Sequence, residues 1–89
     1  YAPRMPMRIN VSEDDVKEDE FFIGFGKVKK ANLNLSPSGN LNEAAANLFA
    51  YMRIAETHGE YKGIAMSPIP QTGLGLAIND RIRRASYQE

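Results

Sequence analysis

The chain has no cysteine, so neither a disulfide framework nor a thiolate metal site is open to it, and nothing points to export. A single histidine, His58, leaves no set for a histidine-based metal centre. No Ser/His/Asp constellation, Cys/His pair or pocketed carboxylate pair can be assembled, so no catalytic apparatus is visible. The formal net charge is zero, whereas nucleic-acid modules normally carry a basic excess. No apolar stretch approaches the roughly 20 residues that span a bilayer, and no signal-peptide pattern is present. The first residue is Tyr1 and not methionine, which suggests a piece of a longer polypeptide.

What is present fits one small globular domain of 89 residues. Hydrophobic residues make up 43% and charged residues 25%, the usual balance for a packed chain, so a core can be expected. The charge is unevenly placed. Glu13, Asp14, Asp15, Glu18, Asp19 and Glu20 form an acidic run, and Lys27, Lys29 and Lys30 a short basic one. Both read as solvated segments.

Tyr1-Ala2-Pro3-Arg4-Met5-Pro6 reads as the extended end of a linker, because proline fixes φ and biases its predecessor toward extended geometry. The domain proper then runs from 7 to 89. Met7, Ile9 and Val11 alternate with Arg8 and Asn10 at the period of a half-buried strand. Residues 12–19 are a loop or a short helix opened by Ser12. Phe21-Phe22-Ile23-Gly24-Phe25 is a continuous apolar run suited to a strand covered on both faces. Leu33 and Leu35 suggest another short strand, and Ser36-Pro37-Ser38-Gly39 is turn chemistry.

The clearest helix runs from about 40 to 57. Asn40 can cap it with Glu43 three residues on, Leu41, Ala45, Leu48, Met52 and Ala55 form its stripe, and His58-Gly59 stops it. Gly63-Ile64-Ala65-Met66-Ser67 reads as a buried strand closed by Pro68 and Pro70. A last helix follows over roughly 73–86, capped by Thr72, with Leu74, Ala77, Ile78, Ile82 and Ala85 inward. The order strand, strand, strand, helix, strand, helix predicts an α/β fold, a Rossmann-like layered sandwich. Its small, mostly parallel sheet carries two main helices, and a right-handed crossover links Leu33 to Ser67.

Ligands of open α/β sheets gather beyond the carboxyl ends of strands, where helix N-termini offer free N–H groups. Ser36, Ser38, Gly39 and Asn40 in one loop, and Thr72, Gly73 and Gly75 in the other, occupy such places. The glycines serve equally well for tight turns and close packing, and no Walker-type motif follows. Arg81 falls on the apolar side of the last helix. It needs a partner, either a carboxylate within the domain or a neighbouring domain or anionic ligand, or must snorkel out along the edge. Asp80 and Arg84 stand four apart and should pair on the surface. His58 reads as a last-turn residue and not a base.

Several motifs in register carry a resemblance. They are Ile23-Gly24-Phe25-Gly26, Asn34-Leu35-Ser36 with Gly39, Glu43-Ala44-Ala45-Ala46-Asn47-Leu48-Phe49, and Gly73-Leu74-Gly75 followed by Ala77-Ile78-Asn79-Asp80-Arg81-Ile82. Together they closely resemble the C-terminal domain of the long-form, two-domain threonylcarbamoyl-adenylate synthases of the YrdC family. Tyr1-Ala2-Pro3 is similar to the end of that family's interdomain linker. The resemblance implies a cytoplasmic parent enzyme, a nucleotidyltransferase using ATP and Mg. It condenses threonine, bicarbonate and ATP into threonylcarbamoyl-AMP and releases pyrophosphate. A tRNA threonylcarbamoyl transferase then delivers the group to an adenosine of tRNA.

The family's catalytic site lies in the N-terminal domain, so no catalytic residue, cofactor or metal carries over to this chain. The resemblance implies an accessory domain that packs on or caps the catalytic domain, with the transferase as a further candidate partner. Neither direct nucleic-acid contact nor a membrane is expected. Tyr1, Pro3, the two glycine loops, Arg81 and Arg84 are then candidate interdomain residues. Two other readings stand beside this one. The chain could be a free-standing small-ligand or nucleotide-binding module with an anion at a helix N-terminus, or a homodimerisation module using the strand at 7–11 as an edge.

Overall fold

The computed structural model describes residues 3–86. Four strands and two helices follow one another as β1 (Met7–Arg8), β2 (Glu20–Gly24), β3 (Leu33–Asn34), α1 (Leu41–Glu56), β4 (Gly63–Met66) and α2 (Leu74–Ser86). A single 3-10 turn, Glu13–Asp15, sits between β1 and β2, with Ser12 at its head. The strands form one sheet in the order β1-β4-β2-β3, and every neighbouring pair is parallel. The α/β fold expected from the alternation of elements is the fold observed. β3 and β4 both flank β2, so α1 is the crossover between them.

Parallel register decides which side chains share a face. Phe21 pairs with Ile64, Phe22 with Ala65 and Ile23 with Met66. Phe21, Ile23, Ile64 and Met66 face Leu48, Met52 and Ala55 of α1 and Ile78, Ile82 and Ala85 of α2, the main core. Phe22 and Ala65 face the other way, under Val11, Val16, Val28 and Ala31. Both long helices therefore cover one face of the sheet, and connecting segments cover the other. All five residues of β2 are buried, as a continuous apolar run requires.

Three expectations are corrected here. The strand expected over 7–11 is hydrogen-bonded as a strand only at Met7–Arg8. Asn10 takes φ 56°, and the Val11 N–H donates to the Met66 carbonyl at 2.9 Å, so the chain turns onto the sheet instead of running along its edge. An edge of two residues offers little for strand pairing between copies.

The acidic run is not wholly solvated. Glu20 opens β2, is only 8% exposed, and takes a bidentate ion pair from Arg8 Nε and Nη2, both at 2.7 Å. Arg8 pairs with Ala65 across the sheet and Glu20 with Gly63, so the guanidinium lies over two small residues of β4. Ala44, and not only the expected stripe, is fully buried on α1, whereas Ala45 is half-buried.

The third correction concerns α2. Its buried face is Gly75, Ile78, Asn79, Ile82 and Ala85, while Leu74 is 39% exposed and Ala77 lies outside. The helix is turned by part of a residue's arc from the orientation that hydropathy alone predicts. The reason lies in the loop before it.

Candidate functional site: the carboxyl edge and the helix seam

Strand parallelism puts the loops after β3 and β4 at the same edge of the sheet, and both lead into helix N-termini. The two termini are neighbours: Leu41 Cδ1 comes within 3.7 Å of the place a Cβ on Gly75 would occupy. Gly39 (φ 78°) and Gly73 (φ 54°) turn the chain into α1 and α2 in the left-handed region, where glycine is least costly.

The loop into α1 is self-contained. Asn40 caps the helix, its Oδ1 accepting the Glu43 N–H at 2.9 Å. In a capping box Glu43 would reach back to the Asn40 N–H. Here the two are joined through Ser36. The Asn40 N–H donates to Ser36 Oγ at 2.8 Å, and Ser36 Oγ donates to Glu43 Oε1 at 2.5 Å. Ser36 is fully buried, its N–H donates to Asn34 Oδ1, and its carbonyl accepts the Gly26 and Gly39 N–H groups. Ser38 Oγ lies 3.3 Å from Ser36 Oγ. A carboxylate of the chain itself therefore already stands at the positive end of α1.

The loop into α2 is braced from below. Gly75 is pressed against the Pro70 carbonyl so closely that any Cβ would overlap it. Asn79, one turn on, donates Nδ2 to the carbonyls of Ile69 (3.0 Å), Gly75 (2.9 Å) and Pro70 (3.4 Å). These contacts hold α2 in its turned orientation. Thr72, expected to cap with its side chain, instead contributes its carbonyl, which accepts the Gly75 N–H at 2.8 Å, and Gly73 holds the position before the helix.

Arg81 is exposed and has no carboxylate partner among the described residues, so the expected intradomain salt bridge is not formed. Its Cζ stands 5.7 Å from the centroid of the Phe49 ring, an interhelical cation–π contact. Asp80 takes Arg84 Nε at 3.1 Å, the pair expected from their spacing, and Arg83 at 3.9 Å. Ala45, Phe49, Leu74, Ala77 and Arg81 line a cleft of about 280 Å³ along the seam between the helices.

Pro3 is buried at the opposite, amino edge. There the Arg4 N–H donates to Glu56 Oε2 at 3.3 Å and Pro6 O accepts the Ile64 N–H. Tyr1 lies outside the described residues. The candidate residues thus fall into separate groups. Ser36, Ser38, Gly39, Asn40, Thr72, Gly73 and Gly75 share the carboxyl edge and the linker end stands at the other, while Arg81 and Arg84 lie further along α2, Arg84 in its last turn. Sequence reasoning missed Asn79. Its signal was a polar residue four after Gly75, inside the Ile78–Ile82 stripe.

His58 packs against Phe21 (ring centroids 5.2 Å) and lies 3.5 Å from Glu60, which fits a residue closing a helix. Among the described residues no cluster of three metal-ligating side chains occurs, and no helix is long and apolar enough to cross a membrane.

The bracing residues coincide with the motifs that carry the family likeness. A family model described as threonylcarbamoyl-AMP synthase, C-terminal domain, matches residues 1–86. The chain belongs to that family. This places the threonylcarbamoyl-AMP synthase C-terminal domain with the enzymes of that name and with tRNA modification. No curated protein and no solved structure shows a detectable match to the chain.

Proposed function

We propose that this domain is the non-catalytic lobe of a two-domain threonylcarbamoyl-AMP synthase, packing on or capping the adenylate-forming domain and tuning its activity. One observation carries the reading. At the two helix starts of the sheet's carboxyl edge, the side chains of Ser36, Glu43 and Asn79 are spent on the domain itself, committed to securing those starts. The outer side of the helix pair supports the second half of the reading. Leu74 and Ala77 stand exposed beside Arg81, an apolar seam with a cationic rim suited to a neighbouring lobe.

Cytoplasmic location, the nucleotidyltransferase activity of the parent, its use of ATP and Mg, and contact with a tRNA threonylcarbamoyl transferase follow from the same proposal. So does the division into a linker end at 1–6 and a domain from 7 onward. The test is kinetic. The two-domain protein should form threonylcarbamoyl-AMP with a KM or kcat that changes when this domain is removed, and the 89-residue chain alone should turn over no ATP. Equal constants with and without the domain would overturn the proposal.

A further inference from the structure

The β2–β3 side of the carboxyl edge differs from the helix starts. β2 leads into a loop at residues 25–32 whose Val28 and Ala31 pack on the Phe22 face. β3 leads into α1 on the opposite face. Two adjacent parallel strands thus send their chains to opposite sides, and that divergence opens a crevice at their carboxyl ends. It measures about 580 Å³, and Glu13, Gly26, Lys27, Lys29, Asn34 and Pro37 are among its lining residues.

The walls are firmly held. Gly24, at the end of β2, has no room for a side chain, because a Cβ would meet Val28 Cγ2 at 2.7 Å. Gly26 donates its N–H to Ser36 O at 2.8 Å and accepts Asn34 Nδ2 at 3.0 Å, which ties one loop to the other. Glu13 Oε2 accepts the Lys29 and Lys30 N–H groups at 2.8 and 3.2 Å, so its charge is committed to fixing the lysine loop. Lys27 and Lys29 are exposed, and neither side chain has a carboxylate partner within salt-bridge distance among the described residues. The lining thus holds two lysines against one carboxylate, a net positive charge.

We propose that this crevice binds a small phosphate-bearing anion, with Lys27 and Lys29 supplying the charge. Lysine holds phosphate as a point charge and needs no fixed fork geometry. The Glu43 carboxylate at α1 turns such an anion away from the helix start and toward the lysine loop.

Titrating the 15N-labelled 89-residue chain at constant ionic strength, with inorganic phosphate in one series and AMP in another, tests the assignment. Saturable amide shifts should be confined to residues 26–31 and 34–37. The double substitution Lys27→Ala with Lys29→Ala should weaken binding at least about tenfold, while Lys62→Ala leaves it unchanged. Tighter binding of AMP than of phosphate would mark a nucleotide as the ligand, and equal binding a free phosphate. Absence of saturable shifts up to about 20 mM, or shifts centred on residues 38–41 or 72–74, would overturn the proposal.

Discussion

Gly75 lies under Pro70 with no space for even one carbon between the α2 backbone and the Pro70 carbonyl. Tight packing of this kind cannot relax around an added methyl without moving the helix or the loop. Gly75→Ala is therefore expected to destabilise the domain by about 2–3 kcal/mol despite alanine's higher helix propensity. For a domain of this size the fall in Tm should be roughly 10 °C or more, read by thermal melting. An unchanged or raised Tm would show that helix propensity, and not the Pro70 contact, governs the position.

Asn79 holds three carbonyls with one amide. Asn79→Ala should cost about 1–3 kcal/mol, since it leaves buried acceptors unpaired. Asn79→Asp should cost more, because a carboxylate would face those same oxygens with no proton to share. Denaturant melts of the two variants give the ranking, and an aspartate variant as stable as the alanine one would contradict this role.

Arg8 and Glu20 join β1 to β2 across β4, and their ion pair gives the stability an acid-sensitive component. The side-chain hydrogen bond from Arg8 is the main cause that holds the Glu20 carboxyl below the usual carboxylate range; its own burial opposes this. The native state binds that proton more weakly than the unfolded chain. The contribution is therefore fully present above the ordinary carboxylate value and is lost as the pH falls through the lowered native one. Arg8, its own pKa raised chiefly by the Glu20 hydrogen bond, stays charged throughout this range. Glu20→Gln should be less stable at neutral pH and should lose less stability on acidification. Tm measured against pH checks this, and parallel curves for the two proteins would refute it.

At the start of α1, Asn40→Ala should cost about 1 kcal/mol, the usual worth of an N-cap. Ser36→Ala should cost at least as much, because the buried Ser36 hydroxyl serves both the Asn40 N–H and the Glu43 carboxylate. A serine variant that melts with the wild type would show that the Ser36 link is incidental.

Much of this architecture was legible from residue order. The apolar run around Phe22, the Asn40 cap and the Leu48–Met52–Ala55 stripe are local signals, and each appears as its periodicity implies. What hydropathy could not show depends on contacts distant in sequence. The turn of α2 follows from a glycine seated on a carbonyl and an asparagine worth burying for its three bonds. Glu20 enters the core layer because Arg8, twelve residues earlier, neutralises it. Arg81, on the side that hydropathy takes as inward, needed a partner or a way out along the edge; it stands exposed beside an aromatic ring of the other helix. At the candidate site, the loops stood where the motifs put them. That Ser36 and Asn79 turn inward to hold the helix starts became visible only with the fold.

The claim that most needs testing is that this lobe acts on a neighbour and not on a substrate of its own. Steady-state rates of threonylcarbamoyl-AMP formation should be compared for the two-domain protein, for the same protein carrying Ala77→Asp and Arg81→Glu on the exposed seam, and for the catalytic domain alone. The account expects the seam variant to shift toward the constants of the truncated enzyme while keeping a wild-type melting temperature. A seam variant indistinguishable from the intact protein, beside a truncated form that works equally well, would contradict it.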